Sequence, residues 1–184
     1  MTDILTGQVN PSGKLCMTMP ASETTEQYCY NTGVDAGREL YPFGFGLSYT
    51  TFSYGDINVQ PEAKTKNGLI QISFKVTNTG SVKGDEVVQL YASPKSGQPL
   101  KLIQLKGFQR VSLAPGESRA VTFTVSADQL AWHSDAGWTV SPGEYAFCVG
   151  SSCRDLPLEG VCTLKGKPVV KALRDVYFAQ AEVR

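Results

Sequence analysis

The run Ile70-Gln71-Ile72-Ser73-Phe74-Lys75-Val76-Thr77 constrains the fold most strongly. Ile70, Ile72, Phe74 and Val76 alternate with polar residues, and a period of two puts them on one face of a strand. A helix would scatter them around its circumference. Similar runs follow. In Glu86-Val87-Val88-Gln89-Leu90-Tyr91-Ala92, Val88, Leu90 and Ala92 share a face. Val121, Phe123 and Val125 point inward from a later strand, with Thr122 and Thr124 outward. Tyr145-Ala146-Phe147-Cys148-Val149 and Glu159–Leu164 supply two more strands, and weaker runs lie near 56–59 and 102–111. Turn signals separate them. Asn78-Thr79-Gly80 is expected to break a strand through residues that tolerate positive φ. Ala114-Pro115-Gly116-Glu117 and Ser141-Pro142-Gly143-Glu144 have the proline and glycine of tight turns. About seven strands at this spacing specify a mostly β fold, an immunoglobulin-like antiparallel two-sheet sandwich. Tyr145, at the start of a late strand after a Pro-Gly turn, suits a tyrosine corner.

The flanking regions read differently. Residues 1–54 are rich in Gly, Pro, Ser, Thr and Tyr without a sustained period, an irregular N-terminal extension to a sandwich over 55–164. In the tail, 165–184, Val169, Val170, Leu173, Val176 and Tyr177 fall at helical spacing. A short helix, an extended strand and a loose tail all remain open there.

Composition removes several function classes. Lys plus Arg and Asp plus Glu each number 17, so there is no net positive charge to favour nucleic acid. No apolar run is long enough to span a membrane. Met1–Gly7 lacks the basic region and apolar run of a signal peptide. The chain is therefore expected either to stay inside the cell or to be cut from a longer secreted protein. Five cysteines without a CxxC pair, and a single histidine, His133, give no zinc-site spacing. Nothing calls for a metal or a cofactor.

Several segments, taken in order, resemble the C-terminal region of glycoside hydrolase family 3. Leu5-Thr6-Gly7-Gln8-Val9-Asn10-Pro11-Ser12-Gly13-Lys14-Leu15 is similar to the end of that family's α/β sandwich domain, and Leu40–Phe52 to the linker after it. Val76–Gly80, Asp85–Tyr91, Leu105-Lys106-Gly107-Phe108, Leu113–Glu117, Pro142–Tyr145 and Val149–Ser152 resemble its fibronectin type III-like domain. The resemblance covers roughly residues 4–164. It implies a retaining β-glucosidase or β-xylosidase parent, often secreted or periplasmic. In that parent, two carboxyl groups on upstream domains cleave the glycosidic bond. Neither role transfers to a residue of this chain, so the resemblance implies an accessory, stabilising module that is inactive alone. Its partners would be the catalytic barrel and the α/β sandwich domain, in the same chain or a separate one. The linker aromatics Tyr41, Phe43, Phe45, Tyr49 and Phe52 would bury against them. Otherwise residues 1–50 would fold back on the sandwich or leave an apolar patch, which a homodimer could hide.

The sequence departs from the family pattern at Cys16, where proline is usual. The segment Glu23–Glu39 is also short and polar. A Cys16–Cys29 bridge would staple that loop in an oxidising compartment, and two free thiols are the alternative. Cys148 and Cys162 lie on neighbouring expected strands in an unknown register.

Chemistry within the chain would need a carboxyl pair. The candidates are Asp85, Glu86, Asp128, Asp135 and Asp155. Asp85 and Glu86 are adjacent, so on a strand they point to opposite faces. His133 could serve a Ser-His-Asp triad only with a nucleophile elbow, which is missing. Gly44-Phe45-Gly46 lacks the lysine of a phosphate loop. The competing reading is a carbohydrate- or protein-binding module. Polysaccharide would stack on exposed aromatics, for which Tyr91 and Trp132 are the candidates. Trp138 is expected in the core.

Overall fold

The computed structural model describes residues 2–22, 39–96, 102–174 and 176–184. Cys29 of the expected bridge lies outside the described residues. Near the N-terminus are a four-residue helix, α1 (Thr2–Leu5), and strands β1 (Met19–Pro20) and β2 (Glu39–Tyr41). Then come β3 (Phe52–Val59), β4 (Glu62–Lys64), β5 (Leu69–Asn78), β6 (Gly84–Pro94), β7 (Gln104–Leu113) and β8 (Ser118–Ser126). A 3-10 turn, Ala127–Leu130, leads to β9 (Trp132–Ser134), β10 (Gly137–Val140), β11 (Gly143–Gly150) and β12 (Leu158–Lys165). Two short strands end the chain, β13 (Val169–Lys171) and β14 (Gln180–Val183).

Two sheets face each other, one ordered β4-β12-β11-β6-β7 and the other β14-β8-β5-β3. All pairings in them are antiparallel except β4 with β12. The alternation read from sequence sets the core. Ile70, Ile72, Val76, Val88, Leu90, Val121, Phe123, Val125, Phe147 and Val149 are all fully buried between the sheets. Phe74 stacks on Phe123 with ring centroids 6.0 Å apart. Tyr145 lies in this core and donates from its phenol to the Ser141 carbonyl at 2.8 Å, which is the bonding of a tyrosine corner.

Two turns use different physics. At Pro115-Gly116 the glycine takes φ +74°, and Glu117 N–H bonds to Ala114 O at 3.0 Å, as the sequence suggests. At 78–80 the expected positive φ is not used. Asn78 ends β5 through its side chain instead. It is fully buried, donates to Val82 O (2.8 Å) and Leu113 O (3.1 Å), and accepts from Thr50 Oγ1 (2.6 Å) and Gly80 N (3.1 Å). A buried amide with both ends satisfied orders a turn as well as a glycine does.

The described tail residues are not helical. β13 pairs with β10, and β14 adds to the open edge of β8. The unpaired backbone of a sheet edge offers a ladder that an isolated short helix cannot match. Leu173 and Tyr177, part of the helical stripe in sequence, stay exposed. The cysteines are separated too. Cys148 stands opposite Glu159 and Cys162 opposite Tyr145, three residues out of register; Cys162 is in the core, Cys148 half-buried, and both are free. Cys16 is an exposed free thiol.

Candidate functional site

The outer face of the five-stranded sheet is where structure and sequence part. Tyr91 belongs to that face, and exposure was expected. It is fully buried, and its phenol donates to Gln89 Oε1 at 2.6 Å. It therefore offers no platform to a sugar. Beside it, at Gln89, the N-terminal segment runs back over β6 as a strap.

Polar contacts hold the strap. Gln89 is 3% exposed and donates from Nε2 to Gly44 O (3.1 Å) and Ser151 O (2.6 Å). Gly44 has φ +82°, and a Cβ there would stand 2.2 Å from Gln89 Oε1, so the close crossing requires glycine. Lys14 pairs with the buried Glu86 at 3.0 Å, and Tyr54 donates to the same carboxylate oxygen at 2.8 Å. Burial and the Glu86 charge drive the Tyr54 phenol far above the usual tyrosine range. Asn10 accepts from Ser48 Oγ (3.0 Å) and Tyr49 N (2.8 Å) and donates to Lys83 O (3.1 Å). Cys153 N bonds to Phe43 O, and Arg154 pairs with Glu39 at 2.7 Å. The strap's other side is apolar and open. Leu5, Leu47 and Met17 are 77%, 71% and 64% exposed, and Tyr41 and Tyr49 also face outward. Residues 2–22 and 39–50 thus fold back and still leave a patch.

The acids are placed as follows. Asp85 accepts from Ser112 Oγ at 2.6 Å and faces Arg110. Asp128 pairs with Lys171, and Asp135 is exposed at the β9–β10 hairpin. Asp155 closes the turn after β11, accepting from Ser151 Oγ, and its own N–H bonds to Ser152 Oγ at 3.1 Å. Glu86 and Asp155 line one cleft of about 530 Å³, a convergence that adjacency in sequence could not reveal. Lys14 and Tyr54 both occupy Glu86 Oε1, which makes it an anchor of the strap.

A second cleft, of about 420 Å³, opens at the other end of the sandwich. Trp132 lines it, half-buried, with its indole N–H on Ser141 Oγ at 2.9 Å. Trp138, expected in the core, is only half-buried. It packs partly on the core and lines the cleft, meeting the edge of His133 at 5.4 Å. Lys106 and Arg174 supply cations that sequence reading missed. Only the tail's return past β10 brings Arg174 there, at 5.5 Å from the Trp138 ring centroid. Among the described residues no group of three His, Cys, Asp or Glu could hold a metal. No helix among them is long and apolar enough to cross a membrane.

Comparison with known proteins now adds to this geometry. Residues 1–49 match the glycosyl hydrolase family 3 C-terminal domain, and residues 86–153 match a fibronectin type III-like domain. The chain belongs to glycosyl hydrolase family 3. Within that family it corresponds to the C-terminal region. It is 37% identical to thermostable beta-glucosidase B of Acetivibrio thermocellus, over 86% of this chain and 24% of the relative. It is 38% identical to a beta-xylosidase of Formosa agariphila, over 84% and 23%. Among solved structures, the Bifidobacterium adolescentis family 3 beta-glucosidase superposes with TM-score 0.75 at 36% identity, covering 89% of this chain and 27% of that one. Beta-glucosidase 3B of Thermotoga neapolitana, in complex with glucose, gives TM-score 0.77 at 32% identity, covering 91% and 26%. The chain spans about a quarter of the length of the curated relatives it matches.

Proposed function

We propose that this chain acts as the accessory, stabilising C-terminal module of a family 3 β-glycosidase, with bond cleavage carried by a barrel and an α/β sandwich domain outside these residues. The module divides into the end of the α/β domain and linker (1–54), the sandwich (55–164) and the tail (165–184). One observation carries the reading. The strap is fixed to the sandwich by directional bonds on one side, while Leu5, Met17 and Leu47 lie open on the other. A segment held that firmly, with an apolar outer side, suits a wedge between a sandwich and a further domain. The relatives' names, beta-glucosidase and beta-xylosidase, support hydrolysis of β-linked glucosides or xylosides by the whole protein.

The test is hydrolysis of aryl β-glucosides and β-xylosides by the purified 184-residue chain. No turnover above buffer is expected. Turnover abolished by Glu86→Gln or Asp155→Asn, in a chain that still folds, would overturn the reading. Added to a family 3 barrel and α/β domain lacking its own C-terminal module, the chain is expected to raise that protein's thermal midpoint.

A further inference from the structure

The cleft beside Trp132 has no part in the strap, and its chemistry differs from the strap's. Lys106 sits at a bulge in β7: Leu90 faces Gly107 and Tyr91 faces Leu105, so Lys106 has no residue opposite it on β6. A bulge re-aims the extra side chain. Here it sends a lysine, only 3% exposed, into the cleft wall. Its ammonium donates to Gln104 Oε1 (2.7 Å) and Gln129 O (2.6 Å), both neutral acceptors. Arg174 donates to the same Gln129 oxygen at 2.7 Å. Two cations therefore share one carbonyl and lie within a few ångströms of each other. The Arg174 Nε is buried without a partner. Among the described residues lining the cleft there is no Asp or Glu. The nearest acid on the 3-10 turn, Asp128, is paired with Lys171.

We propose that this cleft binds a sugar ring bearing a carboxylate, a uronic acid. Trp132 supplies a flat apolar face for a pyranose, and Arg174, held over the Trp138 ring, and Lys106 supply the charge for its acid group. The volume falls in the roughly 300–1,000 Å³ range of small-molecule sites. Like-charge proximity explains the selectivity. Two neighbouring cations repel, and one anion beside them relieves the repulsion, which a neutral sugar cannot do. A monoanion fits better than a phosphate. Arg174 is the lasting charge, and its planar guanidinium matches a carboxylate, while burial and the Arg174 charge lower Lys106 to about 7. The inference stands apart from the accessory reading, since an inert module could bind a uronate and an active one could fail to.

The experiment uses the full 184-residue chain at pH 6.5, titrated with methyl β-D-glucuronide, methyl β-D-glucoside and glucose 6-phosphate. The indole N–H signals of Trp132 and Trp138 provide the readout. The glucuronide should shift both indoles and bind about tenfold or more tightly than the glucoside, the margin of a charge-assisted hydrogen bond. Arg174→Gln should cut that margin several-fold, and Arg174→Lys should keep more of it, with circular dichroism confirming that each folds. A glucuronate-bearing xylo-oligosaccharide that shifts the same indoles would mark a polysaccharide side chain as the source; failure to shift them would mark the free sugar acid. Equal binding of glucuronide and glucoside, no binding of the glucuronide, tighter binding of the phosphate, or shifts confined to other residues would each overturn the proposal.

Discussion

Strand β6 is dry on both faces, and the two faces are dry for different reasons. Toward the opposite sheet it presents Val88, Leu90 and Ala92, whose burial needs only that apolar surface leave water. Toward the strap it presents Gln89 and Tyr91, polar groups tolerated there because each finds a partner at hydrogen-bonding distance. The first face is held by a non-directional force that accepts modest rearrangement. The second is held by directional bonds that fail one at a time, each leaving a stranded polar group. The core should therefore set global stability, and the strap should be a separable layer with its own local opening.

Substitutions separate the two kinds of burial, and the heaviest loss should fall in the core. Phe123→Ala should cost about 3–5 kcal/mol by urea denaturation, the range for a large buried aromatic. A cost near 1 kcal/mol would mean the two sheets are not tightly interlocked. Next is Gly44→Ala, which adds a Cβ into Gln89 at a positive φ. It should destabilise the strap locally by about 1–3 kcal/mol, so that hydrogen exchange speeds up at residues 40–50 and stays slow in β5 and β8. Uniform acceleration would show that strap and core open together. Lys14→Met leaves Glu86 buried with only Tyr54 as a partner. The same local pattern is expected, with a loss of about 1–3 kcal/mol.

Lys106 offers a pH test on the far end of the sandwich. Its folded-state value, about 7, lies below the 10.5 of an unfolded chain. Between those limits the unfolded state holds a proton that the native state has released, so stability rises as pH increases from about 7 toward 10. Lys106→Met should flatten that rise, and Arg174 keeps the Gln129 carbonyl bonded in the variant. The smallest effect belongs to the open side of the strap. Leu47→Ser, at a site 71% exposed, should change the stability of this chain by less than about 0.5 kcal/mol. A larger loss would mean that this side is already covered, as in a homodimer, and sedimentation would then show it.

Much of the sandwich was legible in the sequence. The alternation of Ile70, Ile72, Phe74 and Val76, and of Val121, Phe123 and Val125, assigned strands and inward faces that the structure keeps. The Pro115-Gly116 turn and the Tyr145 corner were legible because their chemistry is local. Asn78 was read through its backbone tolerance, whereas its side chain bonds residues as far apart as Thr50 and Leu113. The tail's helical stripe competed with an open sheet edge and lost to it. Tyr91 was misread because alternation reports which side of a strand a residue takes, not what covers that side. Trp132 was identified as a candidate, but Lys106 and Arg174 beside it were not, since the β7 bulge and the returning tail that bring them together leave no mark in local pattern.

Amino-acid order alone thus determined most strands, their inward faces and the Pro115-Gly116 turn, because those depend on side-chain period and on neighbours a few residues away. Tertiary structure alone decided the second covering of β6, the strap clamp on Glu86 and Gln89, and the cationic cleft between Trp132 and Arg174. Each of these is a meeting of residues distant in sequence. Their energies come from directional contacts and shared burial, which exist only once the two sheets have closed and the chain's ends have come back over them.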